Sequence, residues 1–185
     1  MDPRVKASET DLAEEFEKQQ LLAGMMTQTT ESVTEARALR EQVQRLTGKA
    51  PALTTVGNTA GSAEKKIPPA VAEAVSAFDK KLTAILGGAG PQGGFAARAS
   101  SSPTLSRTSG TIGALYSEID RADAAPTAAQ LSAINALVSD FAATRKLWQA
   151  FRASDLPSLN RQLKSAGLRE LEPASAASDE GGDIE

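Results

Sequence analysis

Residues 116–131, YSEIDRADAAPTAAQL, place three carboxylates shortly before a proline: Glu118, Asp120 and Asp123. The carboxylates belong either to an acidic site or to the bend between two helices. Pro126 stops a helix because proline lacks a backbone N–H, and Thr127–Gln130 has the spacing of a capping box that begins a new helix. A helix that ends at about Asp123 leaves roughly two to five residues for the connection, the length of a helical hairpin turn. We therefore interpret this stretch as a bend.

Apolar periodicity predicts the two helices that flank the bend. The third helix starts near Ser102, with Pro103 in its first turn, and its residues step by three and four like a heptad seam: Leu105, Thr108, Ile112, Leu115, Ile119 and Ala122. Gly110 and Gly113 weaken this helix. We expect that their lack of a side chain allows a neighbouring helix to approach closely. The fourth helix carries a second stripe: Leu131, Ile134, Val138, Phe141, Trp148 and Phe151.

Two further helices precede this pair. The first runs from about Ser8 to Thr47, with a capping box from Ser8 to Asp11 and a stop at Gly48. Its predicted stripe is Leu12, Phe16, Ala23, Met26, Val33, Ala36, Leu39, Val43 and Leu46. Pro68 and Pro69 open the second helix, whose stripe is Val71, Val75, Phe78, Leu82 and Ile85.

The remaining segments are linkers, a last helix and a tail. Residues 48–67 and 87–103 are rich in small residues and lack a period, which is typical of flexible linkers. After a kink, Asp155 is expected to cap a short helix with Pro157 in its first turn and Gly167 at its end. Its leucines are expected to fold back on the bundle: Leu156, Leu159, Leu163 and Leu168. Residues 173–185 form an acidic tail without apolar anchors, which predicts disorder.

These elements predict an all-α fold. It is an antiparallel bundle of about four helices, long first and fourth and shorter second and third, with a short C-terminal helix. The bundle domain spans residues 1–172.

Composition excludes several kinds of chemistry. The 185 residues include no cysteine and no histidine, which removes disulfides, thiol nucleophiles and imidazole acids or bases. The net charge of −3 gives no field that would attract nucleic acid. No apolar run reaches the roughly 20 residues of a membrane span, and no signal peptide is recognisable at the start. We expect no cofactor, no metal, no nucleic acid and no membrane as partners.

Short motifs that suggest chemistry have simpler explanations. Glu14, Glu15 and Glu17 lack the histidines of a di-iron bundle site and are expected to form a solvated first part of the helix. The segment GGAGPQGG has neither a preceding strand nor the Lys-Ser/Thr ending of a phosphate loop. Ser62–Lys65 matches Ser-x-x-Lys by chance, without a later Lys-Thr-Gly. The basic residues after Arg145 are too sparse and too mixed with acids for a nucleic-acid surface.

Trp148 is the one tryptophan, and two interpretations of it stay open. It is either a core anchor or, if exposed, a docking hot spot. We predict an interaction surface around it, formed by Trp148, Phe151, Arg145 and Arg152.

Several stretches together resemble the helical C-terminal region of bacterial sortilin-like or glycosyl-hydrolase-like β-propeller proteins, which carry Asp-box (bacterial neuraminidase) repeats. These are MDPRVK at residues 1–6, LYSEIDRADAAPTAAQ at 115–130, and Trp148 followed by DLPSLNRQLKSAGL at 155–168. The resemblance implies a detached C-terminal domain whose parent protein is exported. Because no Asp box occurs in this chain, the resemblance carries no catalytic residue onto it.

Two functions follow as hypotheses. The first is a non-catalytic structural or interaction domain, an appendage of such a propeller protein, that buries one helical face against the parent's β-domain or another protein chain. The alternative is a self-assembling coiled-coil module that sets a homo-oligomeric state.

Overall fold

The computed structural model describes residues 8–48, 67–87, 102–121 and 124–173, and within these ranges all regular structure is helical. The elements, in chain order, are α1 (Glu9–Leu46), α2 (Pro69–Leu86), α3 (Leu105–Ile119), α4 (Ala128–Ala150), a π-helical turn (Phe151–Asp155) and α5 (Leu156–Ser165). The predicted all-α bundle is confirmed, with its long first and fourth helices and short last one. Nearly all of both predicted linkers, and the tail after Pro173, lie outside the described residues.

Local side-chain chemistry fixes the starts of α1 and α4 as predicted. The Ser8 N–H donates to Asp11 Oδ2 at 2.9 Å and the Asp11 N–H donates to Ser8 Oγ at 3.2 Å, which closes the capping box. These hydrogen bonds hold the pKa of Asp11 below its ordinary value. Thr127 and Gln130 form the same box at the start of α4. Gly48, Gly87 and Gly167 follow helix ends with positive φ, a conformation that glycine adopts without steric cost.

The helices enclose two hydrophobic cores, one above the other. The N-terminal core lies between α1, α3 and α4 and contains Leu22, Met25, Ile112, Leu115, Ile119, Ile134 and Leu137. The C-terminal core lies between the second half of α1, α2, the end of α4 and α5, and includes Val33, Leu39, Val75, Phe78, Leu105, Trp148, Phe151 and Leu163. Because α3 begins at the C-terminal core and ends in the N-terminal one, it runs antiparallel to both α1 and α4.

The two shorter helices, α2 and α3, meet at the C-terminal core. Helix α2 packs on α1 and α5, whereas α3 packs on α1 and α4. The end of α2 touches the start of α3, where a Cβ atom added to Gly87 would overlap the Thr104 side chain. Gly87 is therefore required twice, for its φ of 72° and for its lack of a side chain.

The chain stays helical from α4 into α5, contrary to the predicted kink and new cap. The buried positions Trp148, Phe151, Leu156 and Leu159 contain one step of five residues, which an α-helix would rotate away from the core. The π-helical turn absorbs the extra residue, and the Leu156 N–H bonds the Phe151 carbonyl five residues earlier. Asp155 does not cap α5. Its carboxylate instead accepts from Lys81 Nζ at 2.6 Å.

The predicted core stripes are correct in most places and wrong in two. In the first half of α1, Phe16 is 59% exposed and Ala23 is exposed as well. The buried seam instead runs through Glu15, Leu22, Met25 and Thr29, so the expectation that Glu15 is solvated is wrong. Because Glu15 and Thr29 are polar, a search for periodic apolar residues does not identify this seam. In α4, Leu137 is buried and Val138 is exposed.

Two boundaries around α3 also differ from the prediction. Thr104 is the N-cap, and its hydroxyl accepts from the Arg107 N–H, so the helix begins after Pro103. It ends at Ile119, so eight residues, 120–127, separate it from α4. The connection is thus longer than the predicted turn, and Ala122 and Asp123 lie outside the described residues.

The expected close approach at Gly110 and Gly113 is wrong. A Cβ atom built on either glycine has no neighbour within 4 Å. Both positions are helical with open space beside them, so the missing methyl groups serve no packing purpose.

We predict that Gly110→Ala stabilises the fold by about 1 kcal/mol, the difference in helix propensity between the two residues. Gly113→Ala should act in the same direction. Urea unfolding monitored by circular dichroism measures both effects. Gly87→Ala is the matched control and should destabilise, because its Cβ meets Thr104 at a left-handed φ. Destabilisation by Gly110→Ala would show that a helix does approach there.

Candidate interaction surface

Trp148 and Phe151 lie in the C-terminal core. Trp148 is 3% exposed and stacks on Phe151, with ring centroids 5.8 Å apart and planes 17° apart. Phe78 of α2 packs on the other side of Phe151, with centroids at 4.6 Å. The aromatic row joins α2 to the end of α4, and it leaves neither ring available at the surface. Of the two interpretations of Trp148, the structure places the side chain as a core anchor.

Arg152 follows Phe151 in the chain and pairs with Glu35 of α1. No pattern in the sequence indicates this glutamate. Arg152 Nε donates to Glu35 Oε1 at 3.1 Å, and only 12% of the Glu35 side chain is exposed. Burial raises the pKa of Glu35, and both the charge of Arg152 and a hydrogen bond from Trp148 oppose that rise. Glu35 therefore links α1 to both the core and the surface side of the Trp148 region.

Arg145 lies two turns before Arg152, beside a layer of buried threonines. Thr29, Thr108 and Thr144 come from α1, α3 and α4, and each is 2% exposed. They separate the two cores. A small cavity of about 30 Å³ opens next to them, bounded also by Gln28, Ser32, Phe141 and Arg145.

The hydroxyl protons of this layer have definite acceptors. Thr29 donates to the Met25 carbonyl at 2.7 Å, and Thr144 donates to the Asp140 carbonyl at 2.8 Å. Thr108 lies 3.3 Å from Thr144 Oγ1. Since the single proton of Thr144 is already used, Thr108 is the donor of that bond. The layer is thus satisfied without any group from outside the bundle.

The cavity lies between α1 and α4. Gln28 on α1 and Arg145 on α4 bound the cavity from opposite sides. Residues seven apart share one side of a helix, so each wall extends by heptads away from these two residues. By this spacing we assign Glu14, Leu21 and Gln28 to the α1 wall of a groove between the two helices, and Leu131, Val138 and Arg145 to its α4 wall. We call these six residues the α1/α4 groove.

Large apolar side chains are exposed on both walls of the groove. Leu21 is 41% exposed and Val138 is 38% exposed, although the N-terminal core beneath them is closed. Phe16 and Leu147 are exposed as well, but each lies two residues from a groove residue and so points to the other side of its helix. Apolar side chains at corresponding heights on facing walls make this groove the candidate interaction surface.

The four residues of the predicted surface thus divide. Trp148 and Phe151 are internal, Arg152 is exposed above Glu35, and Arg145 forms one end of the α1/α4 groove. Contact of Arg145 or Arg152 with a partner stays a prediction. The sequence held a signal for the groove in the heptad spacing of Leu131, Val138 and Arg145, but Val138 was assigned to the core.

The described residues show no other chemical centre. Glu118 and Asp120 are exposed, and Asp123 lies outside the described ranges. Within those ranges no three Asp or Glu side chains are grouped so that they could hold a metal ion. None of the described helices combines the length and apolarity needed to cross a bilayer.

Comparison with known proteins gives no match: no family model, no curated protein and no solved structure is similar to this chain. The resemblance to propeller-associated helical regions therefore stays a prediction.

Trp148→Ala should destabilise the fold by about 3–5 kcal/mol, as expected for truncating a fully buried aromatic side chain. Trp148→Phe is the matched control, because it keeps a six-membered aromatic ring against Phe151 and removes the pyrrole part of the indole, including the N–H that reaches Glu35. Urea unfolding of the three proteins measures the difference. A loss below about 1 kcal/mol for the alanine variant would show that the ring does not anchor the core.

Glu35 gives a pH dependence with a definite sign. Because its pKa is raised above the ordinary 4.5, the folded chain holds this proton more tightly than the unfolded chain. The resulting stability is complete below pH 4.5 and is lost as the pH rises through the raised pKa. Glu35→Gln removes this loss, so its stability relative to wild type should increase from pH 4 to pH 7. Glu31→Gln, at an exposed glutamate on the same helix, is the control for loss of one carboxylate.

Proposed function

We propose that this chain is a non-catalytic helical domain that binds another protein chain through the α1/α4 groove. The observation that carries the proposal is the pair of exposed apolar side chains, Leu21 and Val138, on facing walls. A fold with two closed cores gains nothing from apolar side chains in water. Apolar surface of this kind, rimmed by polar groups, is typical of protein interaction sites.

The groove defines the chemistry of its occupant. Its middle is apolar, while Glu14 lies at one end and Arg145 at the other. The partner surface therefore has an apolar centre, with a basic group beside Glu14 and an acidic group beside Arg145. An amphipathic helix laid along the groove has this character.

The resemblance found in the sequence suggests one source of such a surface, the β-domain of a parent propeller protein. In that case the bundle is an appendage that stabilises the parent by covering a face of it. No residue of the bundle takes part in a reaction under this proposal.

The test uses two matched double variants as bait in an extract of the source cells. Leu21→Gln with Val138→Gln removes the apolar side chains of the groove walls, and Phe16→Gln with Leu147→Gln removes a larger exposed apolar surface elsewhere. Exposed substitutions of this type change stability by about 0.5 kcal/mol or less, which unfolding curves check. A protein retained by wild type and the control but not by the groove variant is then purified and titrated calorimetrically.

We expect the groove variant to bind that purified partner about tenfold or more weakly, because a few central side chains carry most binding energy. The control should bind like wild type. Equal affinity of both variants for every retained protein would contradict the proposal.

A further inference from the structure

The α1/α4 groove is complementary to a second copy of itself in antiparallel orientation. Leu21 and Val138 lie at corresponding heights in its middle, with Glu14 towards one end of the molecule and Arg145 towards the other. A two-fold axis across the groove at Leu21 sets this leucine against its own copy and does the same for Val138. The same rotation brings the Glu14 end of one chain beside the Arg145 end of the other. An isologous interface requires such self-complementarity.

The described residues as a whole show the same distribution of charge as the groove: one end of the molecule is acidic and the other is basic. The half that contains the N-terminal core, residues 8–28, 108–121 and 124–143, has eight carboxylates and two cations, a net charge of −6. The half that contains the C-terminal core, residues 29–48, 67–87, 102–107 and 144–173, has twelve cations and eight carboxylates, a net charge of +4. Two chains side by side therefore attract when antiparallel and repel when parallel.

Between the acidic and the basic end, the middle segments of α1 and α3 have no charged side chain. Helix α1 has no Asp, Glu, Lys or Arg from Gln19 to Thr30, and α3 has none from Thr108 to Ser117. On α4 the charge nearest to Val138 is Asp140, which is two residues away and therefore points to the other side of the helix. A contact centred on Leu21 and Val138 thus buries no unpaired charge, which would otherwise oppose association. Charged residues remain at the rim, as in stable protein interfaces.

We infer that the occupant of the groove is a second copy of this chain in antiparallel orientation, which gives a closed two-fold dimer. The inference rests on the proposed function and names its partner. Leu21 and Val138 of the two copies form the apolar centre, and the acidic end of each chain lies along the basic end of the other.

Light scattering after gel filtration, over a series of protein concentrations, measures the assembly. Wild type should be a dimer that dissociates on dilution. Leu21→Gln with Val138→Gln should raise the dissociation constant about tenfold or more, as expected for loss of the buried centre. Phe16→Gln with Leu147→Gln should leave it unchanged. High salt should weaken the wild-type dimer, because it screens the attraction between opposite ends.

Single cysteines determine the orientation, since the chain has none of its own. In the antiparallel dimer residue 21 faces itself, so Leu21→Cys alone should form a disulfide-linked dimer on mild oxidation, and so should Val138→Cys alone. In a parallel dimer residue 21 faces residue 138, and only a mixture of the two variants would cross-link efficiently. Phe16→Cys is the control for random collision and should cross-link little.

The outcomes separate the inference from the proposed function. A monomer at every concentration overturns the second copy as occupant, whereas the extract titration still decides whether the groove binds another protein. A dimer that persists in the groove variant but dissociates in the Phe16 and Leu147 variant places self-association on another face and overturns this dimer. Cross-linking only in the mixture overturns the antiparallel orientation.

Discussion

The burial of α3 between α1 and α4 is the constraint on which the rest of the structure depends. Helices α1 and α4 contact each other far less than each contacts α3, so the N-terminal core exists only because α3 lies between them. Its buried residues step by three and four along its whole length: Leu105, Thr108, Ile112, Leu115 and Ile119. The same geometry holds α1 and α4 apart on their other side, and the groove is a direct consequence.

A second constraint is the phase of the chain from α4 to α5. The same continuous helical segment must present a buried side first to α3 and then to α2. A regular α-helix cannot do so with the spacing from Phe151 to Leu156. The π-helical turn shifts the phase by one residue, and the wider turn also accommodates Pro157, which has no N–H to donate. Lys81 then pairs with Asp155 and holds α2 against this turn.

The parts of the fold that depend on local chemistry could be predicted from the sequence. The capping boxes at Ser8 and Thr127 use residues three apart, and the seams of α2 and α3 need only a regular apolar period. The errors arose where tertiary packing decides. Thr29 is buried because Thr108 and Thr144 are also buried at that height, and no pattern within α1 reveals this. The choice between Leu137 and Val138 likewise depends on where α1 lies.

The candidate site was harder to predict than the fold for the same reason. Trp148 and Arg145 were identified by residue type, yet a large aromatic is enriched both in cores and at interfaces, so type alone does not separate the two. Glu35 has no signal in its neighbourhood and becomes important only through Arg152, more than a hundred residues later. The groove is formed by two helices. The heptad spacing around Leu21 and Val138 indicates a surface only when the separation of α1 and α4, which α3 determines, is known.

The buried polar groups raise the question of why the bundle keeps them. The threonine layer replaces apolar packing with hydroxyls that mainly satisfy their own helices, and Glu35 carries a carboxylate whose pKa is raised by burial. Polar groups in a helical core cost stability and can specify register, since a shifted helix would leave them unpaired. Thr108 bonds Thr144 only in the observed register of α3, so sliding α3 by one turn would leave the Thr108 hydroxyl opposite apolar side chains. The regular heptad seam of α3 would by itself allow apolar packing after a shift by one turn. The hydrogen bond between Thr108 and Thr144 opposes such a shift, which an additional methyl group would not do.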